Sequence, residues 1–262
     1  MSILEANKGL VAALKDALAP KFLATVDKSG VPNVVPCLTL TTAPDAEDTL
    51  IFGNFLLRKS IKNLEQNPKV GVLVMTQALD GWVLTGDFVE FQRTGAYVDH
   101  LMSGDLLRYN AYTGVRNAGV IRVRGLDQPF KLAQWRVARD FFMTRLLSRR
   151  PAFDAGSVAI PDAARREFAT LAALKAVAWV GEQGYPIVSP ALSLQPVGPS
   201  GLAWRSTAAL PSVGALAAAN VLTMKAVSYQ AKGRVERHGH TGVMQVQEVY
   251  AGGPPLPGAR VA

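Results

Sequence analysis

The stretch that decides the reading of this chain is Ile51–Met75, IFGNFLLRKSIKNLEQNPKVGVLVM. A short apolar strand, Leu50–Phe52, runs into Gly53-Asn54. Two adjacent cations, Arg58 and Lys59, and a hydroxyl, Ser60, come next. Ile61, Leu64 and Glu65 then recur at helical spacing. Asn67-Pro68 stops that helix, because a residue before proline is pushed out of the α region. Val70–Met75 reads as a buried strand. Arg58-Lys59-Ser60 therefore falls at a helix N-terminus, where unpaired backbone N–H groups and the positive dipole end attract an anion. An Arg fork, a Lys point charge and a Ser donor suit a phosphate. The competing reading is a solvated cationic turn with Ser60 as N-cap. Two cations at this end oppose the dipole, which weighs against a purely structural turn.

Composition narrows the class. The chain has 262 residues, 49% hydrophobic and 18% charged, enough for one large or two small cored units. No apolar run approaches the roughly 18 residues of a membrane span. The first twenty residues mix charge through an amphipathic pattern and do not read as a secretory signal, so the expected location is cytoplasmic, with no membrane partner. The single cysteine, Cys37, excludes an internal disulfide framework and supplies no metal cluster. The net charge of +8 is spread along the chain, apart from Arg145–Arg150 (RLLSRR) and Arg165-Arg166. Neither run is interleaved with base-stacking aromatics, so nucleic acid is not an expected partner.

Outward from the central stretch, residues 3–18 read as an amphipathic helix. Phe22–Asp27 and Val31–Thr41 form a hairpin around Lys28-Ser29-Gly30, with the prolines of the second strand placing part of it at an edge or bulge. Trp82–Gly95 and Ala118–Val123 read as strands, and Tyr97–Leu107 and Gln134–Leu147 as helices. The pattern then starts again. Asp162–Lys175 reads as a helix, and Val177–Val180 with Tyr185–Leu194 as a second hairpin. Gly30 and Pro32 match Gly184 and Pro186. Pro36, Leu38 and Leu40 match Pro190, Leu192 and Leu194. Leu50–Phe52 matches Leu202–Trp204, Ser60 matches Ser212 and Leu64 matches Leu216. Val70 and Val72 match Leu222 and Met224, and Gly86 and Val89 fall near Gly233 and Glu236 after a shorter loop. Two copies of one β-rich unit are expected, each with a short crossing helix: residues 1–150 and 151–262. Short strands and tight turns suggest small antiparallel barrels. Gly252–Ala262 reads as a loose tail. Leu210-Pro211-Ser212 stands where the first copy has Arg58-Lys59-Ser60, so only the first copy keeps the anchor.

Three segments carry a family likeness: FLATVDKSGVPNVVP (Phe22–Pro36), TLIFGN (Thr49–Asn54) and RKSIKNLEQNPKVGVLV (Arg58–Val74). Their order resembles the FMN-binding split-barrel family, the pyridoxamine 5′-phosphate oxidase-like proteins. Tyr112–Val123 (YTGVRNAGVIRV) resembles a late segment of relatives more weakly. The resemblance implies a mainly β fold, two tandem six-stranded antiparallel split barrels. It also implies FMN held at an interface between barrels, and a flavoprotein oxidoreductase of unassigned substrate. It places the FMN phosphate on Arg58, Lys59 and Ser60, with Asn63 one turn later. It lays the flavin ring along Pro36-Cys37-Leu38 and Phe52-Gly53-Asn54, with Gln77 as a polar ring contact. Because the family works as homodimers, the tandem form could imitate that dimer internally, as a pseudo-dimer with one site kept. It could also dimerise through its first copies.

The remaining residues are read more plainly. Cys37 is a small strand residue before it is a redox group. His238 and His240 sit in RHGHTG, an exposed turn, and His100 lies outside the matched segments. Because some relatives bind haem, haem is the alternative cofactor, in a non-enzymatic carrier, storage or sensor protein. Trp82 and Trp204 are packing residues, although Trp204 could face a cofactor across the interface. Tyr112 and Arg116 could line a substrate side. The sequence shows neither a catalytic triad nor a paired-carboxylate spacing, and no catalytic acid or base is assigned.

Overall fold

Two sheets with the same strand order account for most of the chain. The computed structural model describes residues 2–54, 57–104, 115–147, 158–206, 210–225, 227–252 and 258–262. Helix α1 (Lys8–Lys15) precedes β1 (Lys21–Val26), β2 (Pro32–Pro36), β3 (Thr41–Thr42) and β4 (Thr49–Gly53). Helix α2 (Arg58–Gln66), β5 (Lys69–Met75), β6 (Asp80–Gln92), α3 (Ala96–Ser103), β7 (Ala118–Leu126) and β8 (Phe130–Lys131) follow. Helices α4 (Gln134–Leu147) and α5 (Asp162–Phe168) lead to β9 (Leu174–Val180), β10 (Pro186–Pro190), β11 (Gln195–Val197) and β12 (Gly201–Arg205). The chain ends through β13 (Leu216–Leu222), β14 (Ser228–His238), β15 (Thr241–Ala251) and β16 (Ala259–Arg260).

The first sheet runs β2-β1-β5-β6-β7-β4-β3 with β8 on β6, and the second runs β10-β9-β13-β14-β15-β12-β11 with β16 on β15. Each therefore has six principal antiparallel strands plus two of two or three residues. This is the mainly β, tandem split-barrel architecture expected from the sequence. The expected strand Val31–Thr41 is broken. A turn at Cys37–Leu40, closed by Leu40 N–H donating to Cys37 O (3.1 Å), separates β2 from β3. The two halves lie at opposite ends of the strand order, so this turn closes the barrel.

Strand register shows how the copies correspond. Pro32 stands opposite Val26, and Pro186 opposite Val180. Gly86 pairs with Val70 and Gly233 with Ala217, each beside the same bulge in its long hairpin. A Cβ at either glycine would overlap the carbonyl of the facing strand. Val70 thus corresponds to Ala217, not Leu222, and Leu64 has no counterpart at Leu216, which opens β13. The reason is a lost helix. Between β12 and β13 the described residues hold no counterpart of α2, so the shortening lies there and not after β5.

Other expectations shift at element ends. The first helix covers only Lys8–Lys15, and α5 stops at Phe168 because Leu174 and Lys175 already belong to β9. The tail is partly tied down, with Ala259 and Arg260 pairing with β15. Helix α4 packs on β11 and β12.

The barrels dock through β1, β2 and β5 of one and β9, β10 and β13 of the other. β2 meets β13 as β10 meets β5, and β2 meets β9 as β10 meets β1. Phe22, Ala24, Val34, Leu73 and Met75 share a buried cluster with Ala176, Ala178, Val188 and Ala218. At the rim, Tyr185 Oη donates to Asp87 Oδ1 (2.9 Å) and Lys69 Nζ to Gln183 O (2.7 Å).

Candidate functional site

The joint between the barrels encloses a cavity of ≈ 250 Å³ at the start of α2. Helix α2 begins after Leu57, which makes no side-chain cap, and its first turn holds no acidic residue. Ser60 is therefore not the N-cap. It is a buried residue of the first turn whose Oγ accepts from Asn33 Nδ2 (3.0 Å). Two cations, Arg58 and Lys59, thus line the cavity at the helix start with no acidic residue in their own turn, and the carboxylates that act on Lys59 are Glu248 and Asp27.

The expected site residues separate into two groups. Pro36, Cys37, Leu38, Gly53, Arg58, Lys59 and Ser60 all line the cavity. Asn63, Phe52, Asn54 and Gln77 do not. Asn63 is buried, and its Nδ2 donates to Thr25 Oγ1 (3.0 Å). Phe52 lies in the barrel core against Gly119, where a Cβ would collide with its ring. Asn54 donates its backbone N–H to Asn117 O (2.9 Å). Gln77 is exposed in the turn between β5 and β6. Arg116 is exposed and not part of the lining, while Tyr112 lies outside the described residues. Trp204 is 1% exposed in the second barrel's core, so it packs and does not reach the cavity.

The second barrel supplies the other wall, which the sequence reading missed. Asn220, Ser228, Gln230 and Tyr250 line the cavity. Gln230 Nε2 reaches across to donate to Val34 O (2.5 Å). The matching positions of the first barrel, by register, are apolar: Leu73 for Asn220 and Val83 for Gln230. One signal was available. Ser228, Gln230 and Lys232 fall on one face of a strand, and a polar face that is buried must have a partner.

Burial sets the electrostatics. The Cys37 thiol is pushed up to about 12 by burial, so it stays protonated. Burial lowers the Lys59 pKa, and its Nζ sits 3.8 Å from the centre of the Tyr250 ring. Tyr250 Oη donates to Glu248 Oε2 (2.7 Å), and burial together with that bond raises its pKa.

A second cavity, ≈ 430 Å³, occupies the place related by exchanging the barrels. Pro190, Leu192 and Arg205 line it where Pro36, Leu38 and Gly53 line the first. Arg136 and Asp140 of helix α4, which packs on β11 and β12, also line it. Among the described residues no group of His, Cys, Asp and Glu could hold a metal ion, and no helix is long and apolar enough to cross a membrane.

Residues 11–138 match the family model described as pyridoxamine 5′-phosphate oxidase. Solved structures match at low identity. An FMN-binding protein from Syntrophomonas wolfei is 19% identical, covering 50% of this chain and 93% of its own, with a TM-score of 0.41. HupZ of Group A Streptococcus is 25% identical, covering 47% and 94%, with a TM-score of 0.34. HutZ, the heme storage protein of Vibrio cholerae, is 15% identical, covering 50% and 95%, with a TM-score of 0.34. No curated protein matches the chain.

Proposed function

Through residues 11–138 this chain belongs to the pyridoxamine 5′-phosphate oxidase-like, split-barrel family, and from that premise we propose that it binds FMN in the inter-barrel cavity and acts as a flavin-dependent oxidoreductase. One observation carries the reading: the uncapped, doubly cationic start of α2 opens into a cavity walled by both barrels.

The donor set fits a phosphate monoester. Arg58 offers a fork, Lys59 a point charge, and the first-turn amides point along the helix axis into the same space. Burial strengthens such contacts, because little water competes there. The strand and turn residues Pro36, Cys37 and Leu38, with Gly53, border the apolar part of the cavity. They suit the edge of a planar ring, and the Asn220 and Gln230 amides offer polar contacts from the opposite wall. A bound FMN supplies hydride and single-electron transfer. The chain supplies the anchor, the orientation and the exclusion of water. Cys37, held as a neutral thiol, is a wall residue in this reading and not a redox group.

The two barrels stand in for two subunits. The polar wall on one side and the apolar wall on the other give one flavin site per chain. The chain is thus an internal pseudo-dimer. The haem alternative is weaker here: all three histidines lie outside the cavity lining, His100 on α3 and His238 and His240 at the β14–β15 turn.

Flavin titration tests this. The purified protein, stripped of chromophore, should take up one FMN per chain, followed by quenching of flavin fluorescence, and light scattering should find a monomer. A protein that takes up no FMN would sink the reading. Uptake of haem, with a Soret band and no flavin binding, would replace it with the carrier reading.

A further inference from the structure

The second cavity is larger than the first, ≈ 430 Å³ against ≈ 250 Å³, and its walls have changed character. By register, Ile187 stands where the first barrel has Asn33, and Val83 stands where the second has Gln230. Trp179 takes the place of Thr25, the residue that accepts the Asn63 amide and so ties down α2. The hydrogen-bonding side chains that serve the first cavity are thus replaced by apolar ones in the second. Phe130, Leu132, Val137 and Leu192 complete the apolar lining. Such a space suits an apolar, ring-sized body and not a ribityl chain or a phosphate.

One end of this cavity is cationic. Arg205, at the end of β12, lines it with Arg136 and Asp140 of α4. Arg136 precedes Asp140 by one helical turn, so the two share a face. Asp140 does not satisfy the cation nearest to it. Its Oδ1 accepts from Arg139 Nε (3.1 Å) and Arg139 Nη2 (2.9 Å), while Arg205 Nε stays 3.7 Å away, beyond hydrogen-bonding distance. Among the described residues the Arg205 guanidinium makes no hydrogen bond. That of Arg136 makes neither a hydrogen bond nor an ion pair and rests against the Trp135 ring, 5.3 Å from its centre. The other charged groups of the lining sit elsewhere: Lys131 Nζ donates to Asp80 Oδ1 (3.0 Å), and Asp127 is exposed to solvent. A guanidinium that is half-buried beside apolar walls keeps its charge and its planar fork, which matches a carboxylate.

We propose that the second cavity is a binding site for an aromatic monocarboxylate, its ring against Trp179 and Phe130 and its carboxylate on Arg205 and Arg136. The chain then carries two unlike sites at the two ends of one joint. This site does not depend on the flavin reading, because it shares no lining residue with the first cavity.

Calorimetry with 2-naphthoate as the probe tests it, with 2-naphthalenemethanol as the uncharged control of the same shape. Both are titrated into the full chain, with and without FMN, and into Arg205→Met and Arg136→Met, whose folds are checked by circular dichroism. The expected result is saturable binding of 2-naphthoate, with the alcohol at least about 10-fold weaker. Arg205→Met should weaken 2-naphthoate by about 10- to 100-fold and Arg136→Met by a smaller factor, while FMN uptake is unchanged in both. FMN should not displace the probe. No saturable binding of 2-naphthoate, equal affinity for the alcohol, equal affinity in Arg205→Met, or displacement by FMN would each overturn the proposal. Failure of the chain to take up FMN would sink the flavin reading alone, since the arginine variants and the alcohol still decide the second site.

Discussion

Gly71 on β5 passes so close to Pro186 on β10 that a Cβ at position 71 would overlap the Pro186 carbonyl oxygen. The contact ties the strand after α2 to the second strand of the β9–β10 hairpin. Its counterpart on β13 is Ala218, which carries a Cβ, so the docking is tightest on the side of Gly71. Gly71→Ala should force the barrels apart. Overpacking of this kind costs about 1–3 kcal/mol, which lowers Tm by roughly 3–10 °C in a chain of this size. FMN affinity should fall as well, because the cavity draws walls from both barrels. Calorimetric unfolding and flavin titration measure the two effects. An unchanged Tm would mean that the barrels dock more loosely than the structure shows.

Arg58 and Lys59 should act together on the ligand's phosphate. Each charge-assisted hydrogen bond contributes about 1.5–3 kcal/mol. Arg58→Ala with Lys59→Ala should weaken FMN by about 100-fold or more and leave riboflavin nearly untouched. The double variant should also fold slightly better without ligand, since two cations no longer oppose the α2 dipole. Equal loss for FMN and riboflavin would show that the residues shape the cavity and do not hold the phosphate.

Much of this was legible because the local signals agreed. Asn67-Pro68 ends α2 where the rule about residues before proline puts the stop, and Gly30-Pro32 and Gly184-Pro186 punctuate both hairpins alike. Val31–Thr41 misled because β2, the turn and β3 form one mostly apolar run, with no glycine at Cys37–Leu40. The expected second crossing helix, which has no counterpart among the described residues between β12 and β13, misled because Ser212 and Leu216 happen to fall at helical spacing. Within the site, Phe52 and Gly53 fell on opposite faces of β4, as alternation requires: the ring enters the core and only Gly53 meets the cavity. The wall of Asn220, Gln230 and Tyr250 depends on how the barrels dock, and no sequence period carries that information.

Cys37 should behave as a core thiol. Its pKa is raised to about 12 by burial, and it is 3% exposed. A disulfide reagent such as DTNB at pH 8 should leave the folded chain unmodified and react fully after denaturation. Cys37→Ala should keep FMN affinity within about threefold and leave the flavin's redox behaviour unchanged. Rapid modification of the native chain would contradict the enclosed turn at Cys37–Leu40.

Lys175 gives the stability of the chain a pH signature. It stands on β9 with 1% exposure, its Nζ makes no hydrogen bond, and Phe141 of α4 lies 5.1 Å from it by ring centre. Burial lowers its pKa from 10.5 to about 7. Between those values the unfolded chain holds a proton that the folded chain does not. Unfolding free energy therefore rises with pH across that window, and the penalty is fully present below about pH 7. Lys232, its pKa also lowered to about 7 by burial, adds a slope of the same sign, so the informative quantity is the difference between a variant and the unaltered chain. Lys175→Met, similar in volume and without the charge, should raise Tm by several degrees at pH 7. The gain should shrink steadily toward pH 10. Thermal melts at three pH values settle it: a gain that does not depend on pH would assign the effect to packing against Phe141 and remove the buried ammonium from the account.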